Sequence, residues 1–348
     1  MVTFFALPPL PKPTGGLAVL HRLAAALHAA GQDVRLAARE ERHWAPDYSQ
    51  DVPATPWDLA RPGRDDVWLV PEGWVGLLSP GLNARARCLV YVQNWAYLFS
   101  ALPEGVTWDR LPVEFVAVSR PVAWHLAQAT GKEPPLLRPG IDLARFSPPA
   151  EKPAALPVRV AWMPRKNSAQ GRMVIDFLAA RQARGLCPPL TWVEIAGQDQ
   201  AGVADLLRSC HLFLATGFPE GCPLPPLEAM ACGCLPVGFT GFGGHDYMRQ
   251  ADPDLAGAAR PWWPTQHADE FPGNGLWVND ADAPAAALAL ERAACRVLPG
   301  SPEHGLHRAA LDGAAATARA FSLEAQAAAA VKLWQDCLCA GPTGENPA

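Results

Sequence analysis

The sequence predicts an α/β protein made of two doubly wound domains in tandem, and three observations carry that reading. Short apolar runs alternate with segments of helical periodicity along nearly the whole chain. The alternation breaks once, at a proline-rich joint near residue 150, and then restarts. The length of 348 residues accommodates two domains at about 150 residues each.

The first alternation opens with an apolar strand at 2–6 and a Pro/Gly loop at 7–16. Helical spacing follows over 17–30, stopped by Gly31, and a second strand over 34–38. Further strands are expected at 67–70, 88–92 and 115–118. The last leads into a helix over 121–129 with Ser119 as N-cap and Gly131 behind it. After the joint, strands are expected at 158–162, 191–195, 212–215, 235–238 and 276–278. Helices fill the gaps at 168–183, 201–209, 225–232 and 282–297, and an Ala-rich helix closes the chain over 321–338. Parallel sheets of this kind bind ligands at the carboxyl ends of their strands, where the strand order reverses.

Composition narrows the function classes. The apolar share of 49% against 18% charged residues supports large cores and excludes a disordered polymer. Prolines number 37, about twice the usual ~5%. The net charge of −5, carried by the second half, argues against nucleic acid as a partner. Nine cysteines are scattered, and the close pair Cys232 and Cys234 lacks the spacing of a zinc or redox motif; they read as reduced thiols. The apolar run at the amino end is too short for a signal peptide, and no stretch reaches the ~18 residues of a membrane span. The expectation is a cytoplasmic protein with at most peripheral contact at the inner face of a membrane.

Chemistry concentrates in residues 212–238. They read as a buried strand, a Gly/Pro loop carrying Glu220, a short helix with Glu228 in its first turn, and another strand. Pro225 or Pro226 suits a first helical turn, where a missing N–H costs nothing. Loop amides and the helix start suit phosphate oxygens, and the two carboxylates suit sugar or ribose hydroxyls. Taken alone, Glu228 would merely complement the helix dipole and Glu220 would be solvated.

The run Glu220-Gly-Cys-Pro-Leu-Pro-Pro-Leu-Glu228-Ala-Met-Ala-Cys-Gly233 resembles the Glu-x7-Glu signature of the family-four retaining glycosyltransferases with the GT-B fold. The resemblance covers nearly the whole chain and is strongest over 158–250. It implies two facing Rossmann-like domains with parallel sheets and an interdomain cleft. Residues 1–150 would form the acceptor side and 151–320 the nucleotide-sugar side, with a helix in 321–348 crossing back to the first domain. The implied reaction moves a sugar from a nucleotide diphosphate sugar to the hydroxyl of a glycan, lipid-linked or small-molecule acceptor, with retention. It would use neither a metal nor a bound cofactor.

Residue roles follow from the same resemblance. Arg165 and Lys166 stand where members bind the donor phosphates and neutralise the departing diphosphate. Glu220 would contact the donor sugar, and Glu228 the ribose hydroxyls. Gly15 and Gly16 resemble the amino-terminal glycine loop that approaches the diphosphate. Gly197 resembles a strand-end glycine bordering the base, and Gly221, Cys222 and Leu224 complete the donor side. Gly243 and Gly244 fall in a glycine loop near the sugar or acceptor. Arg138-Pro-Gly-Ile-Asp142 with Phe146 resembles the interdomain segment, whose role is hinge and packing.

Two departures matter. Many relatives have Phe-Gly at Cys222-Pro223; Pro223 has no N–H to give, which leaves the amide of Leu224. Where relatives carry a first-domain histidine, this chain has Gln93, Asn94 and Trp95, candidate acceptor or sugar contacts that hydrogen-bond without titrating. No obvious carboxylate nucleophile stands in the first domain, so the donor's own phosphate is the expected base. These departures keep open a catalytically inactive nucleotide-sugar or glycan-binding protein. Asp252, Asp254, Asp280 and Asp282 mimic Asp-x-Asp metal sites but read as loop and cap residues. His21, His28, Trp262 and Trp263 read as packing.

Overall fold

The computed structural model describes residues 1–10, 14–39, 46–261 and 270–339, so Trp262 and Trp263 lie outside the described residues. The chain divides into two compact units, Met1–Gly140 with the C-terminal helix from Glu324 onward, and Ile141–Leu323.

Six strands build the sheet of the first unit: β1 (Thr3–Ala6), β2 (Val34–Ala38), β3 (Ala54–Pro56), β4 (Val67–Pro71), β5 (Arg87–Val92) and β6 (Val113–Ala117). All pair in parallel, in the order β3-β2-β1-β4-β5-β6. Every residue of β1 and β4 is buried, as expected of central strands covered on both faces. Helices α1 (Gly15–Ala29), α2 (Ser79–Ala84) and α3 (Arg120–Thr130) belong to this unit. The Thr14 hydroxyl accepts the Leu17 N–H at 3.2 Å and starts α1 at Gly15, so the glycine pair expected in the loop forms the first turn instead. Ser119 caps α3 and Gly131 ends it at φ 72°, as the sequence indicates. Neither β3 nor α2 is legible in the sequence; β3 is a three-residue edge strand ending in proline. The C-terminal helix (Leu323–Cys339) completes the unit. Trp334 stacks on Phe5 at 6.1 Å and donates its indole N–H to Thr3 Oγ1 at 3.1 Å.

The second unit repeats the pattern. Its strands β7 (Val158–Trp162), β8 (Leu190–Glu194), β9 (Leu212–Ala215), β10 (Leu235–Phe239) and β11 (Leu276–Val278) pair in parallel in the order β11-β10-β9-β7-β8. Helices α4 (Ser168–Ala183), α5 (Gln200–Arg208), α6 (Leu224–Ala231), α7 (Ala283–Val297) and α8 (His304–Ala320) cover both faces. Trp162, Val174, Leu178 and Leu290 belong to one core; Phe213, Leu227, Met230, Trp277 and Phe321 belong to the other. Helix α8 escapes the sequence reading because its buried stripe is small or polar (His307, Ala310, Gly313, Ala314, Thr317, Ala318) and barely registers as apolar periodicity.

Both sheets reverse their strand order beside the first strand of the unit, between β1 and β4 and between β7 and β9. The turns leaving those points are where such sheets bind ligands.

Candidate functional site

In the second unit, the turns after β7 and β9 are knotted together. Asn167 Nδ2 donates to the carbonyls of Thr216 at 2.8 Å and Phe218 at 3.0 Å, while the Thr216 hydroxyl donates to the Lys166 carbonyl. Asn167 sits at φ 58°, a left-handed conformation that asparagine tolerates better than most residues, and α4 starts behind it. This linkage brings Lys166 Nζ into an ion pair with Glu220 Oε1. Arg165, by contrast, is exposed and makes no side-chain hydrogen bond or ion pair among the described residues.

Glycines seat Glu220. Its N–H donates to the Gly241 carbonyl at 2.9 Å, and its carbonyl accepts the Gly243 N–H at 3.0 Å. A Cβ on Gly243 would fall 2.0 Å from the Gly221 carbonyl oxygen, and one on Gly217 2.7 Å from Glu220 Oε1. At Gly243 the obstacle is backbone, so only glycine fits there. Gly244 lies against Pro223 and Met248, where an added Cβ would meet Pro223 Cγ at 3.3 Å. The glycine turn is anchored by Asp280, whose Oδ1 accepts the Gly241 N–H at 2.7 Å. Burial raises the Asp280 pKa, opposed by hydrogen bonds from the amides around Gly241. In the same turn, burial and then the Arg249 charge bring the His245 pKa down to about 4.

Helix α6 begins at Leu224 behind Pro223, with Pro225 and Pro226 next. Among its first three residues only Leu224 carries an N–H, so one free amide, rather than a full turn of them, points out of this helix start. Glu228 is the fifth residue of α6, in the second turn and not the first, and is half-buried. The side chains of Cys222 and Leu224 pack on the core of the unit. Gly197 lies exposed in the turn after β8, at φ 71°. A pocket of about 340 Å³ opens among these loops, lined by Lys166, Thr216, Gly217, Glu220, Pro223 and Pro225.

The first unit assembles its own candidates at the carboxyl ends of β1, β4 and β5. Gly15 and Gly16 open α1, and a Cβ on Gly16 would stand 3.1 Å from Gln93 Oε1. Asn94 spends its side-chain oxygen on the Ala96 N–H at 3.1 Å, capping the single turn Trp95–Tyr97. Trp95 rests against the His125 ring at 5.8 Å, and burial lowers the His125 pKa. Glu72, one residue beyond β4, is a buried carboxyl whose oxygens accept the N–H groups of Gln93 and Asn94 at 3.0 and 2.8 Å.

Sequence reasoning missed Asn167, Thr216, Asp280 and Glu72. A polar residue directly after a fully buried strand was the available signal for Glu72. Asp252 and Asp254 are held by Arg292 and Arg296, and Asp282 caps α7 through the Ala285 N–H. Among the described residues, no group of three or more His, Cys, Asp or Glu side chains is placed to hold a metal ion. No described helix is long and apolar enough to cross a membrane.

Neither a family model nor a curated protein matches the sequence. Solved structures do share its architecture. A glycosyltransferase from Rickettsia africae ESF-5 superposes with a TM-score of 0.64 at 13% identity, covering 98% of this chain and 99% of that one. The sucrose-phosphate synthase of Thermosynechococcus elongatus gives 0.61 at 15% identity, with 98% and 99% covered. Anabaena HepE in complex with UDP gives 0.61 at 13% identity, with 97% and 99% covered. At these identities the likeness establishes the fold: two Rossmann-like α/β units of the GT-B type.

Proposed function

We propose that the chain is a glycosyltransferase that moves a sugar from a nucleotide diphosphate sugar to an acceptor hydroxyl, with retention at the anomeric carbon. The observation that carries the reading is the Lys166–Glu220 ion pair at the strand-order reversal of the second sheet, beside the lone Leu224 amide. The GT-B fold, shared with glycosyltransferases and with a protein solved in complex with UDP, supports it.

In this reading a diphosphate competes with Glu220 for Lys166. The ammonium turns to the phosphates, and the freed carboxylate accepts hydroxyls of the donor sugar. As the glycosidic bond breaks, negative charge grows on the leaving diphosphate, and Lys166 stabilises it where it develops. Arg165, exposed and without a side-chain partner among the described residues, supplies a second cation to the same phosphates. Glu228 accepts ribose hydroxyls, and Gly197 borders the base. Gln93 and Trp95 provide the hydrogen-bonding and stacking surface for the sugar or acceptor, and the donor's own phosphate takes the acceptor proton. No bound cofactor or metal is assigned to the reaction.

A thermal-shift panel of nucleoside diphosphates and sugar nucleotides tests this directly. A ligand at 100 times its dissociation constant stabilises the folded state by ~2.7 kcal/mol. The expected result is a shift with one nucleotide class, followed by donor turnover once acceptor is supplied. Absence of any shift would remove the donor reading; binding without hydrolysis or transfer would make the chain a sugar-nucleotide-binding protein instead.

A further inference from the structure

The strand-order reversal of the first sheet lies between β1 and β4, and the turns leaving it carry the start of α1 and Glu72. Glu72 is 5% exposed. Its Oε2 accepts the Gln93 N–H and its Oε1 the Asn94 N–H, so one carboxyl holds two consecutive amides of the segment leaving β5. No cation pairs with it among the described residues. Titratable side chains on the elements around it include Tyr97, whose Cβ stands 3.8 Å from where a Cβ on Gly73 would be, and His125, against Trp95 and Phe99; among the described residues neither bonds to Glu72. From the clamped backbone, the Gln93 carboxamide reaches the start of α1, where Gly16 leaves room for it. Asn94, on the second clamped amide, starts the turn that carries Trp95.

We propose that Glu72 is a positioning residue: it clamps the Gln93 and Asn94 amides and thereby sets the Gln93 carboxamide and the Trp95 ring to receive a sugar hydroxyl beside α1. The role in sugar recognition rests on the glycosyltransferase reading; the clamp itself does not. Ionised, the carboxyl offers an acceptor to each amide. Protonated, one oxygen becomes a donor and the grip on one N–H is lost. Burial pushes the pKa up to about 7 against the pull of the two amides, so the clamp changes state near neutrality.

Two experiments on the full chain test the proposal. The first follows the amide proton resonances of Gln93 and Asn94 in the wild type from pH 4 to 9. Both should titrate together with a midpoint near 7, moving downfield as the carboxylate forms, and Glu72→Gln should abolish the transition. Two amides that stay flat, or that titrate equally in Glu72→Gln, overturn the clamp. This measurement needs no ligand and, in the wild type, no variant that must fold.

The second measures UDP affinity and then turnover of whichever sugar nucleotide the wild type accepts. Glu72→Gln should bind UDP within twofold of wild type and lose at least tenfold in kcat/KM. Its pH profile should lose the rise through neutrality, and Glu72→Asp should restore part of the rate. Wild-type rate and pH profile in Glu72→Gln would overturn the positioning role. Failure of UDP and every sugar nucleotide to bind the wild type would instead overturn the donor reading, and with it the sugar role, while the amide titration still decides the clamp.

Discussion

Lys166 and Glu220 form an ion pair, and each is assigned a different part of the donor. Truncating Lys166 to alanine should therefore cost more than an exposed charge would. A fall of about 10²–10³ in kcat is expected if it stabilises the leaving group as an oxyanion-type donor does. Steady-state kinetics on the identified sugar nucleotide checks this, and a loss confined to KM would reassign Lys166 to ground-state binding. Gly243 makes the complementary point about space. Its missing Cβ is 2.0 Å from a backbone carbonyl that cannot move aside cheaply. Gly243→Ala should destabilise by about 1–3 kcal/mol, as overpacking does, and disturb the seat of Glu220. Denaturant unfolding measures the first effect, and loss of nucleotide binding the second. Glu220 and Gly243 stand in the signature and its following glycine loop, and Lys166 in the basic pair after β7, so the sequence singles out all three. It does not single out Asn167 and Asp280, because their work is done by single side-chain contacts to turns 39 to 51 residues away in sequence.

At the level of elements, the strands that bury both faces announce themselves as apolar runs, and α4 and β9 have the limits that their periodicity indicates. Helix α6 depends on chemistry finer than periodicity. Three prolines around its first turn leave a single N–H at the site, so any phosphate bond there falls to Leu224. The C-terminal helix shows where an amphipathic, Ala-rich segment goes once tertiary structure exists. Trp334, 3% exposed, stacks on Phe5 and bonds Thr3. Trp334→Ala should cost about 3–5 kcal/mol, the usual range for emptying a buried aromatic site, and lower the melting temperature of the first unit. Calorimetry of the full chain measures it; a change below 1 kcal/mol would mean that the helix contributes little to that core.

Across the whole molecule, buried titratable groups set opposing responses to pH. Burial first, then neighbouring positive charges, bring His245 and His307 down to about 4 from 6.5. Between those values the unfolded chain takes up protons that the folded chain refuses, so stability falls as pH falls. Glu72 acts in the other direction. Its pKa rises from 4.5 to about 7, so the folded state keeps a proton the unfolded state has lost, and stability falls as pH rises through that window. The two histidines should outweigh the one glutamate between pH 6.5 and 4.5, which gives a melting temperature that drops on acidification. His307→Gln should flatten the drop, and Glu72→Gln should steepen it. Melting curves at half-unit pH steps check both signs, and an acid slope unchanged in either variant would refute the assignment to that group.

Apart from β3, α2 and α8, the succession of strands and helices and the parallel α/β character of both units were legible in the sequence alone, and so was the strand, loop, helix and strand of the 212–238 segment. Alternation of apolar runs and the Glu-x7-Glu spacing are local patterns, and a local pattern survives without knowledge of what packs on it. Only the tertiary structure decided which side chains act together. It paired Lys166 with Glu220 across 54 residues, moved Gly15 and Gly16 into a helix, and placed Glu72 under the amides of Gln93 and Asn94. Those outcomes follow from desolvation and close approach between segments remote in sequence, and neither is encoded in the spacing of residues along the chain.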